Sequence, residues 1–317
     1  MNFAHLRISC LQSLFALPVL LVFPLHSYGS STPLNLDNTY SFSVRHNYLI
    51  AQSYNSADYN ESVKLFNLGK YTEAIAAFSR IISNTSTPVP LRNKALIGRS
   101  QAFLVINQPS LAIVDLKKIN YNPSQGYLIG NKEMILGVAF IQIKQYQIAI
   151  KHLSEAIKYL PNDDSVFANR SVAYQAIKNY GAAVKDIERA LEINPTLSSI
   201  FNLAVLEKDR KNFSRCYALL SQLDEKNSAY ADIYLQRGLC LKALKKYKRA
   251  LEDFLRASSI DSTKAEAIEN TGLMLAILGD NNTALKYLES ASSLYLQQGN
   301  IKAFEAVSEQ IARLSNN

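Results

Sequence analysis

The fold of this chain is decided by two neighbouring stretches, ILGVAFIQIKQYQIAIKHLSEAIKYLP (residues 135–161) and ANRSVAYQAIKNYGAAVKDIERALEINP (residues 168–195). In the first stretch Ala149 is followed by Leu153 and Ala156, and the spacing 0, +4, +7 places all three on one face of a helix. Both stretches end in a proline, which cannot continue a helix. The second stretch repeats the pattern of the first, so each predicts a pair of helices.

The small residue that sets this pattern recurs along most of the chain. It is found at Ala74, Ala112, Ala149, Ala183, Cys216, Ala250 and Ala284. The intervals are 38, 37, 34, 33, 34 and 34 residues, and the two longest are expected to contain short inserted loops. Twelve residues before it, where two helices must approach closely, there is always another small residue. A single helix pair cannot bury its own apolar face, so neighbouring pairs are expected to stack.

These columns resemble those of the tetratricopeptide repeat (TPR) family, whose unit of about 34 residues is a helix–turn–helix. The resemblance covers residues 55 to about 298, with weaker positions at Pro109, Glu207 and Asn281. It implies an all-α fold, namely an α-α superhelix (TPR solenoid) of about seven helix-turn-helix repeats, with the first helices on its concave side. A capping helix and tail are expected at residues 299–317. The approximate repeats are 55–88, 93–126, 130–163, 164–196, 197–230, 231–264 and 265–298.

The N-terminus differs in kind from the repeats. Arg7 is followed by an apolar segment at residues 11–25 and then by small residues, which predicts a secretory signal peptide at residues 1–29. The apolar segment is short for a membrane span, which needs about 20 residues, but an uncleaved membrane anchor remains the alternative. Residues 30–54 are polar and are interpreted as a linker. The mature protein is therefore expected to be exported, to the periplasm or a thylakoid lumen.

The chain offers few residues for catalysis. Beyond the predicted signal peptide it has two histidines, His46 and His152, and two cysteines, Cys216 and Cys240. It has no glycine-rich phosphate loop and no HExxH or CxxC motif, so neither an active site, a metal site nor a cofactor is predicted. The two cysteines are expected to be buried thiols, with a reactive or bridged pair as the alternative.

The basic character of the chain is mild. The formal net charge is +8 and falls to +7 once the predicted signal peptide, with its one arginine, is removed. The densest basic cluster lies at residues 242–249 and is interpreted as a solvated helix face and turn. No aromatic-and-basic signature of a nucleic-acid module is present, so no nucleic-acid partner is expected, and a membrane partner only if the N-terminal segment is retained.

A candidate binding surface follows from a column fourteen residues before the small residue. Four successive repeats carry side-chain amides there: Asn169, Asn202, Gln236 and Asn270. An amide can both donate and accept, so it can bond the C=O and the N–H of an extended peptide. At about 10 Å between first helices and about 3.3 Å per peptide residue, one amide would meet roughly every third residue. An apolar floor is expected around them, formed by Val172, Phe201, Val205, Leu235, Leu239 and Leu273.

This column is similar to the asparagine ladder of some TPR peptide-binding arrays, although asparagine is common at this place in TPR units generally. The resemblance implies a non-enzymatic scaffold or adaptor that binds an extended protein segment in its concave groove outside the cytoplasm. The alternative is a structural subunit or membrane-tethered assembly factor of an envelope or photosynthetic membrane complex. The closing YLQQGN (residues 295–300) is similar to the tails of TPR proteins from photosynthetic bacteria.

Overall fold

The computed structural model describes residues 57–122, 124–224 and 230–315, and every regular element in these ranges is an α-helix. The predicted signal peptide (1–29) and linker (30–54) lie outside the described residues. The helices are α1 (Ala57–Asn67), α2 (Tyr71–Ser83), α3 (Val89–Val105), α4 (Pro109–Lys117), α5 (Gly126–Gln142), α6 (Tyr146–Tyr159), α7 (Asp164–Ala176), α8 (Tyr180–Ile193), α9 (Leu197–Asp209), α10 (Phe213–Asp224), α11 (Ala231–Ala243), α12 (Tyr247–Ile260), α13 (Ala265–Ile277), α14 (Asn281–Gln297) and α15 (Ile301–Ser315).

The helices stack in chain order, each packed against the next. Odd-numbered helices from α1 to α13 are the first helices of the repeats, and even-numbered helices are the second. First helices also pack on the first helix of the following repeat, as α3 does on α5 and α9 on α11. The first helices therefore form an inner layer and the second helices an outer one. All seven small residues of the repeat are fully buried between the layers.

The close approach predicted for the second small-residue column is observed. A Cβ added to Gly238 of α11 would lie 2.6 Å from Cε1 of Phe254 on α12, so no larger residue fits at this position without movement of the ring. The array ends on α15, whose face of Phe304, Val307 and Ile311 packs on the core of the last repeat.

The extra residues of the second repeat are helical, so the inserted loop expected before that repeat is wrong. Before the third repeat a longer connection (118–125) is present, together with a longer first helix. Helices α3 and α5 each have 17 residues, whereas α7, α9, α11 and α13 each have 13. Residues 89–92 and 126–129 lengthen the first helix at its start. In α3 this is possible because Pro90 lies in the first turn, where proline needs no hydrogen-bond acceptor.

The turn inside each repeat closes on a residue with positive φ, and in five repeats this residue is not glycine. They are Asn107, Lys144, Lys178, Lys211 and Lys245, with φ between 57° and 64°. After α7 the N–H of Lys178 donates to Gln175 O at 2.8 Å and that of Asn179 to Tyr174 O at 2.9 Å. This is a Schellman closure, which satisfies carbonyl groups left free at the helix end.

Three arginine–aspartate pairs, which the sequence analysis did not predict, join the two helices of alternate repeats. Each guanidinium makes two parallel bonds to its carboxylate, at 2.6–2.8 Å, and each aspartate side chain is at most 8% exposed. The pairs are Arg99–Asp115, Arg170–Asp186 and Arg237–Asp253. Arg170 also donates to Ser154 of the preceding repeat at 3.0 Å, so the pair holds three helices together.

Glu207, a weak position in the repeat pattern, has a local explanation. Its carboxylate is fully buried on α9, and it accepts from Arg215 at 2.7 Å, Asn212 at 3.1 Å and Arg210 at 3.3 Å. Burial of a carboxylate is tolerated when such partners compensate the lost hydration.

Cys216 and Cys240 form a disulfide, so the expectation of two buried thiols is wrong. Cys216 lies on α10 and Cys240 on α11, with their Cα atoms 6.4 Å apart. The small-residue position of one repeat packs against the first helix of the next, which brings the two Cα atoms within the range of a disulfide. The bond joins the fifth repeat to the sixth.

Within the described residues, no helix is long and apolar enough to cross a bilayer, and no group of three or more His, Cys, Asp or Glu side chains could hold a metal ion. The apolar segment at residues 11–25 lies outside these ranges.

Candidate protein-binding groove

The predicted amide column lies on the inner layer, one amide on each of α7, α9, α11 and α13. Asn169 and Gln236 are buried, Asn270 is 5% exposed, and Asn202 is half-buried. The four residues lie on neighbouring first helices, but they are not four equivalent open amides. Their role in peptide binding stays a prediction.

Two of the amides are engaged by lysines from the preceding first helix. Nζ of Lys208 on α9 donates to Oε1 of Gln236 on α11 at 2.6 Å. Nζ of Lys242 on α11 donates to Oδ1 of Asn270 on α13 at 2.9 Å. Both lysines lie eight residues before the small residue of their repeat, which places them in the same register. Each ammonium group has three donors, so donors remain for a further acceptor.

Lys242 therefore differs from the solvated position expected for the basic cluster at residues 242–249. Burial lowers the pKa of Lys242 and of Lys208 because it removes water from the charged form, while Glu266 nearby partly opposes the shift. Burial likewise raises the pKa of Glu266 on α13, and Lys208 opposes that shift. No direct ion pair joins Glu266 to Lys208 or Lys242 in the described structure. The inner layer here therefore carries positive and negative side chains that are near each other but not in contact.

Asn169 presents a different chemistry. Its Oδ1 is buried and accepts no hydrogen bond among the described residues. An unsatisfied buried acceptor costs about 1–3 kcal/mol, which a donor from a bound molecule would recover. Asn202, on the next first helix, is half-buried. The fourth and fifth repeats therefore carry the amides with the most unused hydrogen-bonding capacity.

The predicted apolar floor is divided between core and surface. Phe201, Val205 and Leu235 are at most 3% exposed and pack inside the hydrophobic core. The remaining three are half-buried and offer apolar area on the inner layer: Val172, Leu239 and Leu273.

The seventh repeat adds polar groups that the sequence analysis did not single out. Tyr295 Oη on α14 donates to Glu269 at 2.8 Å, and Gln310 Nε2 on the capping helix donates to the other oxygen of Glu269 at 3.4 Å. Burial, followed by the charge of Glu269, raises the pKa of the Tyr295 hydroxyl.

Lys208 and Lys242 could have been found in the sequence by the same counting of repeat positions that found the amides. The Tyr295–Glu269 contact could not, because it depends on how the last helices pack.

Comparison with known proteins supports this architecture. Residues 165–197 and 231–264 each match a family model of the tetratricopeptide repeat. These two segments are tetratricopeptide repeats. TPR arrays generally act as non-enzymatic scaffolds for protein interaction. No curated protein sequence matches the chain.

Among solved structures, the TPR fold is shared with proteins of low sequence identity. A tetratricopeptide repeat protein from Parabacteroides merdae is 16% identical with a TM-score of 0.57, over 83% of this chain and 100% of that one. The C-terminal part of a TPR repeat-containing protein from Cytophaga hutchinsonii is 16% identical with a TM-score of 0.56, over 78% and 98%. MamA from Desulfovibrio magneticus RS-1 is 16% identical with a TM-score of 0.50, over 53% and 96%.

Proposed function

We propose that this protein is a non-enzymatic adaptor that binds an extended segment of a partner protein along α7, α9, α11 and α13. The observation that carries the proposal is the buried, unpartnered Oδ1 of Asn169 next to the half-buried amide of Asn202. A peptide N–H would satisfy the Asn169 acceptor. The amides of the sixth and seventh repeats, Gln236 and Asn270, are already bonded by Lys208 and Lys242, and the spare donors of these two lysines would bond peptide carbonyl oxygens there.

We further propose that the protein acts outside the cytoplasm. The signal-peptide pattern of residues 1–29 supports export. The disulfide between Cys216 and Cys240 supports it independently, because disulfides persist in oxidising compartments and are rare where thiols are kept reduced.

The test is affinity capture of the tagged protein from its own cells, followed by mass spectrometry. The native protein is compared with an Asn169→Ala/Asn202→Ala variant. Each lost hydrogen bond is worth about 1 kcal/mol, so a captured partner should bind on the order of 10- to 100-fold more weakly to the variant. Titration of the identified partner segment against both proteins measures this ratio.

A matched control removes two amides from the outer layer. Gln147 on α6 and Asn282 on α14 are both exposed, and a Gln147→Ala/Asn282→Ala variant should retain the partner fully. Circular dichroism establishes that both variants are folded. Retention of every partner by the Asn169→Ala/Asn202→Ala variant would reject the groove and favour the alternative, a structural subunit or membrane-tethered assembly factor that uses another surface.

A further inference from the structure

One edge of the solenoid concentrates positive charge. This edge, called here the turn edge, is formed by the turns between the first and second helices. In the third to sixth repeats its sequences are QIKQYQIA (142–149), AIKNYGAA (176–183), DRKNFSRC (209–216) and ALKKYKRA (243–250). These four segments contain nine lysines and arginines and a single carboxylate, Asp209, whereas the whole chain has 34 cations to 26 anions. The positive charge is therefore localised rather than spread.

The lysines at the centre of this edge carry charge that nothing neutralises. Lys144, Lys178, Lys211 and Lys245 occupy the same position in four successive repeats, and all four are exposed. None of their ammonium groups makes a hydrogen bond or ion pair with another described residue. Asp209 accepts from the neutral amide of Gln175 at 3.0 Å, so it keeps its negative charge and lowers the net charge of the edge by one.

The backbone at these positions gives a second observation. All four lysines have positive φ, where glycine is favoured and another L-residue costs roughly 1–2 kcal/mol. The first and seventh repeats place glycine there, Gly69 and Gly279. The third to sixth repeats thus retain a lysine where glycine would give a more stable turn, which indicates that the charge itself is used.

Exposed aliphatic side chains lie along the same edge, one of them in a lysine-bearing repeat and three in the first, second and seventh repeats, at the ends of the lysine row. Leu111 and Ile148 lie in the first turn of α4 and α6, next to the turn edge, and are 46% and 41% exposed. Leu68 and Leu278, in the turns of the first and seventh repeats, are 63% and 40% exposed. Two of the nine cations of the turn edge, Arg210 and Arg215, pair with the buried Glu207, so the unpaired charge of this edge lies mainly on its lysines.

We propose that the turn edge docks on an anionic lipid membrane surface. With repeats about 10 Å apart, the four lysines span about 30 Å in a row, which suits a charged plane better than a point ligand. Aliphatic side chains beside them can enter the headgroup region, whereas a nucleic-acid phosphate backbone offers them no apolar environment. This surface is separate from the inner layer, so a partner segment and a membrane can be bound together.

The test measures partitioning of the full-length protein to two kinds of vesicle at low ionic strength. One is pure phosphatidylcholine, and the other contains about a third phosphatidylglycerol. The readout is the ratio of the two partition coefficients, because any contribution of residues 11–25 is common to both vesicles. The variant carries Lys144→Asn, Lys178→Asn, Lys211→Asn and Lys245→Asn. Asparagine tolerates positive φ, as Asn107 does in the second repeat, so the turns are kept.

Each lysine near an anionic surface contributes about fivefold to binding. The native protein should therefore prefer the anionic vesicles by more than about 100-fold, and the four-lysine variant should lose most of that preference, the remainder coming from cations such as Lys246, Lys248 and Arg249. The control removes four exposed lysines from the outer layer, through Lys117→Gln, Lys151→Gln, Lys185→Gln and Lys286→Gln. It should keep most of the preference.

Two results would overturn the proposal. One is a native protein that binds both vesicles equally. The other is an equal loss in both variants, which would mean that net charge alone drives binding and no surface is selected.

Discussion

At the scale of single residues, the choice between lysine and glycine at a turn position with positive φ should change the free energy of unfolding. A lysine at φ near 60° crowds its Cβ against its own backbone, and glycine avoids this contact. Lys178→Gly should therefore raise the free energy of unfolding by about 0.5–1 kcal/mol, after the greater chain entropy of glycine in the unfolded state is subtracted. Urea unfolding followed by circular dichroism measures the difference.

The same substitution inside a helix should have the opposite sign. Lys185 is exposed in the middle of α8, and Lys185→Gly removes the same charge without relieving any strain. It should lower the free energy of unfolding by about 1 kcal/mol. If both variants were destabilised equally, the turn strain assigned to Lys178 would be absent.

At the scale of helices, most of the architecture could be predicted from the sequence because the repeat is encoded in the size of side chains. A position occupied in every repeat by alanine, cysteine, glycine or serine marks where two helices meet, and this does not depend on the rest of the molecule. The length of α3 and α5 could not be predicted in this way. Extra residues between repeats are equally compatible with a loop or an extra helical turn, and spacing alone does not distinguish them.

The arginine–aspartate pairs show how a helix pair is fixed by more than apolar contact. Asp186→Leu alone should lower the free energy of unfolding by about 2–3 kcal/mol, because it leaves Arg170 without its carboxylate in a site where the arginine is only 19% exposed. The double variant Arg170→Met/Asp186→Leu should be destabilised less than Asp186→Leu, since neither charge is then left unpaired. Chemical unfolding of Arg170→Met, Asp186→Leu and the double variant measures the coupling.

Additive effects in that comparison would contradict a coupled pair. The bond to Asp186 also raises the pKa of Arg170, so the guanidinium keeps its charge throughout the accessible pH range and the pair should not open in mild alkali.

At the scale of the whole molecule, the disulfide is a covalent link between two repeats that also pack against each other. Cys216 and Cys240 are 24 residues apart, and closing a loop of that size removes chain entropy from the unfolded state worth about 3 kcal/mol. Reduction should lower the stability of the native protein by about that amount. Unfolding with and without a thiol reductant measures it.

A Cys216→Ala/Cys240→Ala variant provides the control, because its stability should not respond to reductant. Two free thiols found by mass spectrometry in the untreated native protein would contradict the bond and would remove one support for export.

The candidate groove was predictable only in part. The positions of the amides follow from the repeat, so Asn169, Asn202, Gln236 and Asn270 could be assigned to the inner layer without a structure. Their hydrogen bonds could not be assigned, because a lysine such as Lys208 reaches an amide one repeat away, and sequence spacing does not encode the rotamer it adopts. The same limit applied to Cys216 and Cys240, where residue type left the bonded and free forms both open.

The arginine–aspartate pairs occur in the second, fourth and sixth repeats, and in the second and fourth the arginine also reaches a serine of the repeat before it. The modular length of this protein is therefore two repeats, about 70 residues, rather than one. An array that is shortened or extended should change by two repeats at a time. Removing a single repeat would place an arginine next to a repeat that lacks the serine it bonds, as Arg170 bonds Ser154.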